Sequence, residues 1–201
     1  TNAINLFPRL SSTKGLLSWN IVVYDEKKEI VAKIDGKEFS KLISWDCFDS
    51  TGKSLKDGIY FIQYKAEFIS GNTPKSFLKK IVFDSTNPNL KISTEPSIFS
   101  PDGDGKNDHL LIHIRSRDLT AIKKWKITIK TPFGNIFKTF QGTGVIPKRI
   151  QWDGFSNDEI NNKKIVVDSL SKYIVQAEAI DIAKNKGKSN EYTIRTGILM
   201  Y

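Results

Sequence analysis

A single cysteine, Cys47, stands in the 201 residues. No disulfide can close within the chain, and no four-ligand cluster of Cys and His can hold a structural zinc. Histidine is nearly as scarce, His109 and His113 being the two present. A Ser–His or Cys–His nucleophile would have its base only there, where no Cys lies. No apolar run approaches the about 18 residues that cross a bilayer as a helix, because Lys, Asp or Gln cuts each short run. Five like charges never stand in a row, so a polyelectrolyte tail is excluded. The sequence opens Thr1-Asn2-Ala3 with no basic and apolar leader; the expectation is a segment whose signal was removed or lies upstream.

What is present is apolar and aromatic: 39% of residues are hydrophobic, with four Trp, six Tyr and twelve Phe. Such a chain can bury a core, which rules out disorder for most of its length. Lys and Arg number 31 against 22 Asp and Glu, a net charge of +9. That balance suits acidic partners such as polyanionic glycans, anionic lipid or nucleic acid, but without a run of like charges the favoured reading is a Lys-rich solvated surface. In Lys123-Lys124-Trp125-Lys126 the basic residues flank an aromatic. On a strand this is core aromatic inward and Lys outward, with the Lys discouraging edge-to-edge pairing, so no nucleic-acid partner is expected.

The chain repeats once. Trp19-Asn20-Ile21-Val22-Val23 matches Trp125-Lys126-Ile127-Thr128-Ile129, 106 residues on. Ile43-Ser44-Trp45-Asp46 matches Ile150-Gln151-Trp152-Asp153, 107 on, whereas Tyr60 and Tyr173 stand 113 apart. The second copy therefore carries about six extra residues, expected as a loop from Asn157 to Ser171. Apolar residues fall at every second position in these segments, the period of half-buried strands. Asp35-Gly36, Thr51-Gly52, Asp57-Gly58, Phe133-Gly134 and Asp153-Gly154 read as turns, and Gly142-Thr143-Gly144 as a strand connection. No amphipathic helical stripe appears, so no Gly-rich loop opens a phosphate-binding helix. The fold expected is all-β: two tandem antiparallel β-sandwiches, residues 1–86 and 87–201, of six or seven strands each. A short, stiff linker is expected at Asp84–Asn89.

The sharpest local signal is Phe99-Ser100-Pro101-Asp102-Gly103-Asp104-Gly105-Lys106-Asn107-Asp108. Alternating carboxyl and amide oxygens around glycines can converge on Ca2+, which makes Asp102, Asp104, Asn107 and Asp108 the candidate metal ligands. The distal bidentate Glu of a helix–loop–helix site is missing, so Asp84, Glu95 or a backbone carbonyl would complete the shell. The competing account is a tight turn whose side chains bond their own backbone. His109 and His113, four apart, could join Asp108 on a metal; the favoured reading puts both on the outer face of an edge strand. Trp45-Asp46 and Trp152-Asp153 read as a core Trp followed by a turn Asp, ahead of a sugar-stacking surface. Cys47 occupies the position of Gly154 in the other copy and is expected to be an inert, partly buried thiol. No Asp or Glu sits in an apolar context that would raise its pKa for acid–base work, and no enzyme is expected.

In the second copy Trp125, Ile127, Ile129, Gly134, Phe140, Trp152, Asp153, Gly154, Tyr173, Ala179 and Asp181 form a pattern similar to the bacterial Ig-like domain of the flagellar hook-capping protein. The first copy keeps Trp19, Ile21, Val23, Trp45, Asp46, Gly58, Tyr60 and Ala66, with Cys47 for the Gly and Phe68 for the Asp. The Phe99–Asp108 segment resembles the SPNGDG-x-ND leader that precedes such domains in exported bacterial surface and envelope proteins. The resemblance implies two tandem Ig-like or fibronectin-III-like sandwiches. It further implies a non-catalytic structural, scaffolding or spacer module of an exported cell-envelope protein, periplasmic or outer-membrane associated. Similar tandem modules also precede a peptidoglycan-binding domain of outer-membrane-protein-A type in some envelope proteins, which would suit a periplasmic spacer. The partner implied is a protein or a cell-wall glycan. Two alternatives stand beside this: an adhesion module recognising an acidic glycan or protein through the basic surface or the 157–171 loop, and a hook-assembly capping protein.

Overall fold

The computed structural model describes residues 3–160 and 163–200 and contains no helix among them. The chain divides between Asp84 and Ser85 into two units, each with its own core.

In unit 1 the strands are β1 (Ile4–Leu6), β2 (Leu16–Tyr24), β3 (Ile30–Gly36), β4 (Ile43–Trp45), β5 (Gly58–Phe68) and β6 (Lys79–Phe83). Period-two alternation in β2 and β5 puts Trp19, Ile21, Val23, Tyr60, Ile62 and Ala66 on one face, where all are buried. Antiparallel pairing sets Trp19 opposite Ala66 and Val23 opposite Ile62 in a sheet of order β3-β2-β5-β6. The β1-β4 pair, with Ile4 opposite Trp45, closes this core.

Unit 2 contains β7 (Asn89–Glu95), β8 (Leu110–Arg117), β9 (Ile122–Lys130), β10 (Ile136–Thr143), β11 (Arg149–Trp152), β12 (Phe155–Ile160), β13 (Lys163–Val166), β14 (Lys172–Asp181), β15 (Lys186–Lys188) and β16 (Tyr192–Arg195). One sheet runs β11-β8-β7; the other runs β10-β9-β14, and β15 and β16 both pair with β14. Inward side chains of both sheets meet in one core. At its centre Trp152, 1% exposed, lies 5.4 Å from Phe99 and 6.4 Å from Tyr173 between ring centroids. Truncating so enclosed a Trp to Ala costs about 3–5 kcal/mol.

Register makes the repeat exact in space. Trp19 faces Gly36 and Ala66 across its neighbours as Trp125 faces Gly142 and Ala179, and Ile4 faces Trp45 as Leu110 faces Trp152. Each copy also turns back a Tyr hydroxyl at the start of a long strand. Tyr60 Oη donates to Lys56 O at 2.8 Å, and Tyr173 Oη accepts from Asp168 N at 3.0 Å. Two face-to-face antiparallel sheets with such a Tyr corner make each unit an Ig-like or fibronectin-III-like sandwich. Unit 1 lacks a counterpart of β7 among the described residues.

Several expectations need correction. The 157–171 stretch is no loop: β12 and β13 pair as a hairpin, Phe155 opposite Val166, with Asn161 and Asn162 outside the described residues. The β-branched run Ile165-Val166-Val167 explains it, since Val167 is 1% exposed and joins the core. With the last strand split into β15 and β16, unit 2 exceeds six or seven strands. Gly36 and Gly142 lie in strands rather than turns, because the Trp ring opposite fills the space of a side chain. Finally, β8 and β9 are interior strands, so neither His113 nor Lys124 and Lys126 guard an edge, and His109 lies just before β8 rather than on a strand.

Candidate functional site

The Asp/Gly loop joins β7 to β8 and is built by its own acids. Asp108 Oδ1 accepts from Gly103 N at 2.7 Å and Oδ2 from Gly105 N at 2.8 Å. Asp104 Oδ1 accepts from Lys106 N at 2.7 Å, and Asp102 Oδ2 accepts from Met200 N at 3.2 Å. Asn107 serves through its backbone, with φ of 56° and its carbonyl accepting from Ser100 N. This is the turn chemistry expected of Asp and Asn. It also gathers charge: one oxygen each from Asp102, Asp104 and Asp108 lie within 4.8 Å of one another. Hard carboxylate oxygens in that number suit Ca2+, although the ion takes six to eight ligands, leaving the rest to carbonyls or water. Each bonded oxygen keeps a second lone pair for an ion. Glu95 is not a completing ligand here, since its Oε1 lies 2.8 Å from His113 Nε2.

Neither histidine belongs to a converging group of three ligands among the described residues. His113 is held by Glu95 on the outer face of β8, and His109 lines a shallow hollow with Pro101, Asp108 and Asp153. Trp45 and Trp152 are 4% and 1% exposed. Their Nε1 atoms donate to Phe48 O at 3.2 Å and Phe155 O at 2.9 Å, while Asp46 and Asp153 accept from the same two residues' amides. They are packing and turn residues, with no ring left to stack a sugar.

Cys47 is 1% exposed and has φ of 62°, where Gly154 has 82°. The position demands left-handed backbone, which glycine adopts freely and other residues at a cost of about 1–2 kcal/mol. Burial raises the thiol's pKa, and the neighbouring Asp46 charge adds to the rise, which keeps it unreactive.

Larger open hollows lie elsewhere among the described residues. One in unit 1, about 780 Å3, is lined by Arg9, Lys14, Tyr64, Phe68 and Lys75. The Tyr64 ring stacks on Trp19 at 5.8 Å, its hydroxyl is shielded without a hydrogen-bond partner, and burial raises its pKa. Another, in unit 2, is about 560 Å3 and lies over β9, β10 and β14 between Lys124, Lys126, Gln141, Thr143, Glu178 and Ile180. Sequence reasoning placed Lys124 and Lys126 outward but did not join them to Gln141, Glu178 and Ile180, because period two shows which Lys point outward but not which strands bring them side by side.

No family model matches the chain, and no curated protein matches it. Among solved structures it is similar to the fibronectin(III)-like modules of Clostridium thermocellum CbhA, at 12% identity and TM-score 0.41, covering 98% of this chain and 85% of that one. It is also similar to a tetra-tandem repeat from the extending region of a large adhesion protein, at 19% identity and TM-score 0.36, covering 92% of this chain. Domains FN1–FN3 of chicken CNTN1 align at 12% identity and TM-score 0.47, covering 90% of this chain. The chain spans 42% of the adhesion-protein fragment and 55% of the CNTN1 fragment.

Proposed function

We propose that the chain is a non-catalytic structural module, a spacer or scaffold, of an exported bacterial cell-envelope protein in the periplasm or at the outer membrane. One observation carries this reading: the side chains that repeat between the copies are all spent on architecture. Trp19 and Trp125 lie over their glycines, Trp45 and Trp152 fill cores, and Tyr60 and Tyr173 tie corners. The repeat preserves a shape, with no repeated cleft among the described residues. The likeness of Phe99–Asp108 to an export-associated leader supports the envelope, and the hook-capping resemblance extends no further than the Ig-like module. An antibody raised against this chain tests location in cells making the parent protein. Release by osmotic shock, or digestion by protease added to intact cells, is expected; retention in the cytosol overturns the reading.

In the same reading Asp102, Asp104 and Asp108 hold a structural Ca2+. Thermal unfolding in millimolar Ca2+ and in excess EDTA, on wild type and Asp104→Ala, tests it. A ligand at about 100 times its Kd adds about 2.7 kcal/mol. A Ca2+-dependent rise absent from the variant is expected, whereas no rise in wild type returns the loop to turn chemistry and leaves the spacer reading standing.

A further inference from the structure

The net charge is not spread evenly over the molecule. Cross-strand pairing fixes which side chains share the solvent face of the larger sheet in unit 2. Lys124, Lys126 and Lys130 project there from β9, Lys172 from β14, Lys186 and Lys188 from β15, and Arg195 from β16. The one carboxylate among these strands' outward residues is Glu178, already 3.0 Å from Lys188. The equivalent face of unit 1 carries Lys33, Lys65 and Lys80 against Asp35 and Glu67, with Lys33 and Asp35 in an ion pair at 2.9 Å. Two copies of one core thus present one nearly balanced face and one strongly basic face.

Edge protection does not account for the difference, since β9 and β14 are interior strands with partners on both sides. Solubility does not either, because Lys172 stands directly opposite Arg195, a like-charge pairing that weakens a sheet. Lys124 to Lys130 spans about 20 Å along the strand, enough for several units of a polymer. Between the cations lie hydroxyl and amide groups, Thr128, Thr143, Gln141 and Gln176, the last with its Nε2 donating to Ser189 O at 3.0 Å and its Oε1 left to accept, and the 560 Å3 hollow lies against Gln141 and Thr143. No aromatic ring faces outward from β9, β10 or β14, which removes the base-stacking platform of a single-stranded nucleic-acid site.

We infer that this face of unit 2 binds a linear acidic polysaccharide, whose carboxylate or sulfate groups meet the β9 and β14 lysines while its hydroxyls bond Gln141, Thr143 and Gln176. The inference does not depend on the chain's being a spacer or on its place in the cell. The test is binding of the whole chain to immobilised polygalacturonate, with neutral dextran, single-stranded DNA and anionic phospholipid vesicles as comparison surfaces at the same salt. Three triple variants, each removing three charges, are compared. They are Lys124→Gln with Lys126→Gln and Lys130→Gln; Lys33→Gln with Lys65→Gln and Lys80→Gln on unit 1; and Lys91→Gln with Arg115→Gln and Arg149→Gln on the opposite sheet of unit 2. Wild type is expected to bind polygalacturonate and not dextran. The first variant should lose about a hundredfold in affinity, on the scale of about fivefold per surface charge, while the other two keep theirs. Urea midpoints check that all three fold. Equal losses in the three variants would reduce the effect to diffuse charge and overturn the inference. So would failure of wild type to bind at low salt, or DNA or vesicles binding as tightly as polygalacturonate.

Discussion

Alanine at Gly36 and at Gly142 is the sharpest test of the packing, because the two positions share a register and differ in what surrounds the Trp opposite. Neither glycine has positive φ, so on backbone grounds alanine helps each by about 0.5–1 kcal/mol. The Trp decides the sign. A Cβ at Gly36 would fall 2.1 Å from Trp19 Cζ2 and 2.4 Å from Cε2; at Gly142 the nearest atoms are Trp125 Cζ2 at 2.7 Å and Cε2 at 2.9 Å. Trp19 cannot yield: it is 7% exposed, its Nε1 donates to Glu38 O at 2.7 Å, and Tyr64 stacks on its face. Trp125 is half-buried, its Nε1 has no partner, and Ala177 stands where unit 1 has Tyr64. Overpacking costs about 1–3 kcal/mol, and a lost indole bond in unit 1 adds about 1–3 kcal/mol. Gly36→Ala should therefore destabilise unit 1 by about 3 kcal/mol, and Gly142→Ala should cost unit 2 about 1 kcal/mol or less. Urea and thermal unfolding of the whole chain, fitted as two transitions, would read this as a drop of about 10–20 °C for unit 1 and a few degrees for unit 2. Equal costs, or a larger one at Gly142, would refute the argument that the Glu38 bond and the Tyr64 stack hold Trp19.

The other predictions concern single side chains. Tyr60→Phe and Tyr173→Phe each remove a corner bond and should cost about 1–2 kcal/mol, whereas Tyr64→Phe deletes a hydroxyl that bonds nothing and should be neutral or stabilising; urea midpoints separate the two classes. Gly154→Ala meets both φ of 82° and Pro101 Cγ at 2.6 Å, and should cost about 2 kcal/mol or more by the same measure. The Cys47 thiol should react with an aromatic disulfide reagent only as fast as unit 1 opens, and modification at the rate of a free thiol in the native state would contradict its burial. Asp49 is held below its ordinary pKa chiefly by the Thr51 hydroxyl, then by the Lys53 amide. A carboxyl whose folded value is the lower contributes stability above the unfolded value and loses it as pH falls through the folded one. The advantage of wild type over Asp49→Asn should shrink between about pH 5 and pH 3, and a constant advantage would show that ionisation plays no part.

The sandwich pair was legible because period-two alternation and the Trp and Tyr landmarks are local in sequence. Trp45 and Trp152 could be read as packing residues because the two copies check each other at those positions, whereas Cys47, expected to be partly buried, is enclosed. Gly36 and Gly142 were misread because a glycine in a turn and a glycine under an indole look alike until pairing shows what stands opposite. The β12-β13 hairpin was missed because its polar Ser156-Asn157-Asp158-Glu159 run masks the strand, and its apolar anchor, Val167, lies beyond it. For the Asp/Gly loop the sequence named Asp102, Asp104 and Asp108, which do converge, but not the division of labour by which Asp108 caps two glycine amides. The basic face was least visible of all, since it is assembled from four strands whose order is a property of the sheet.

The exchange of Tyr64 for Ala177 at one register position bears on folding fidelity. Neighbouring copies of one fold within a chain are prone to trade strands as they emerge and collapse. Were β9 to take β5 instead of β14, the Tyr64 ring would be forced against Ile127 in place of the Ala177 methyl, in a core whose members are at most 8% exposed. Were β2 to take β14, Trp19 would lose its stacking partner. Each wrong pairing carries a packing penalty that the right one avoids, so the divergence of the two copies acts as a proofreading mark on strand choice.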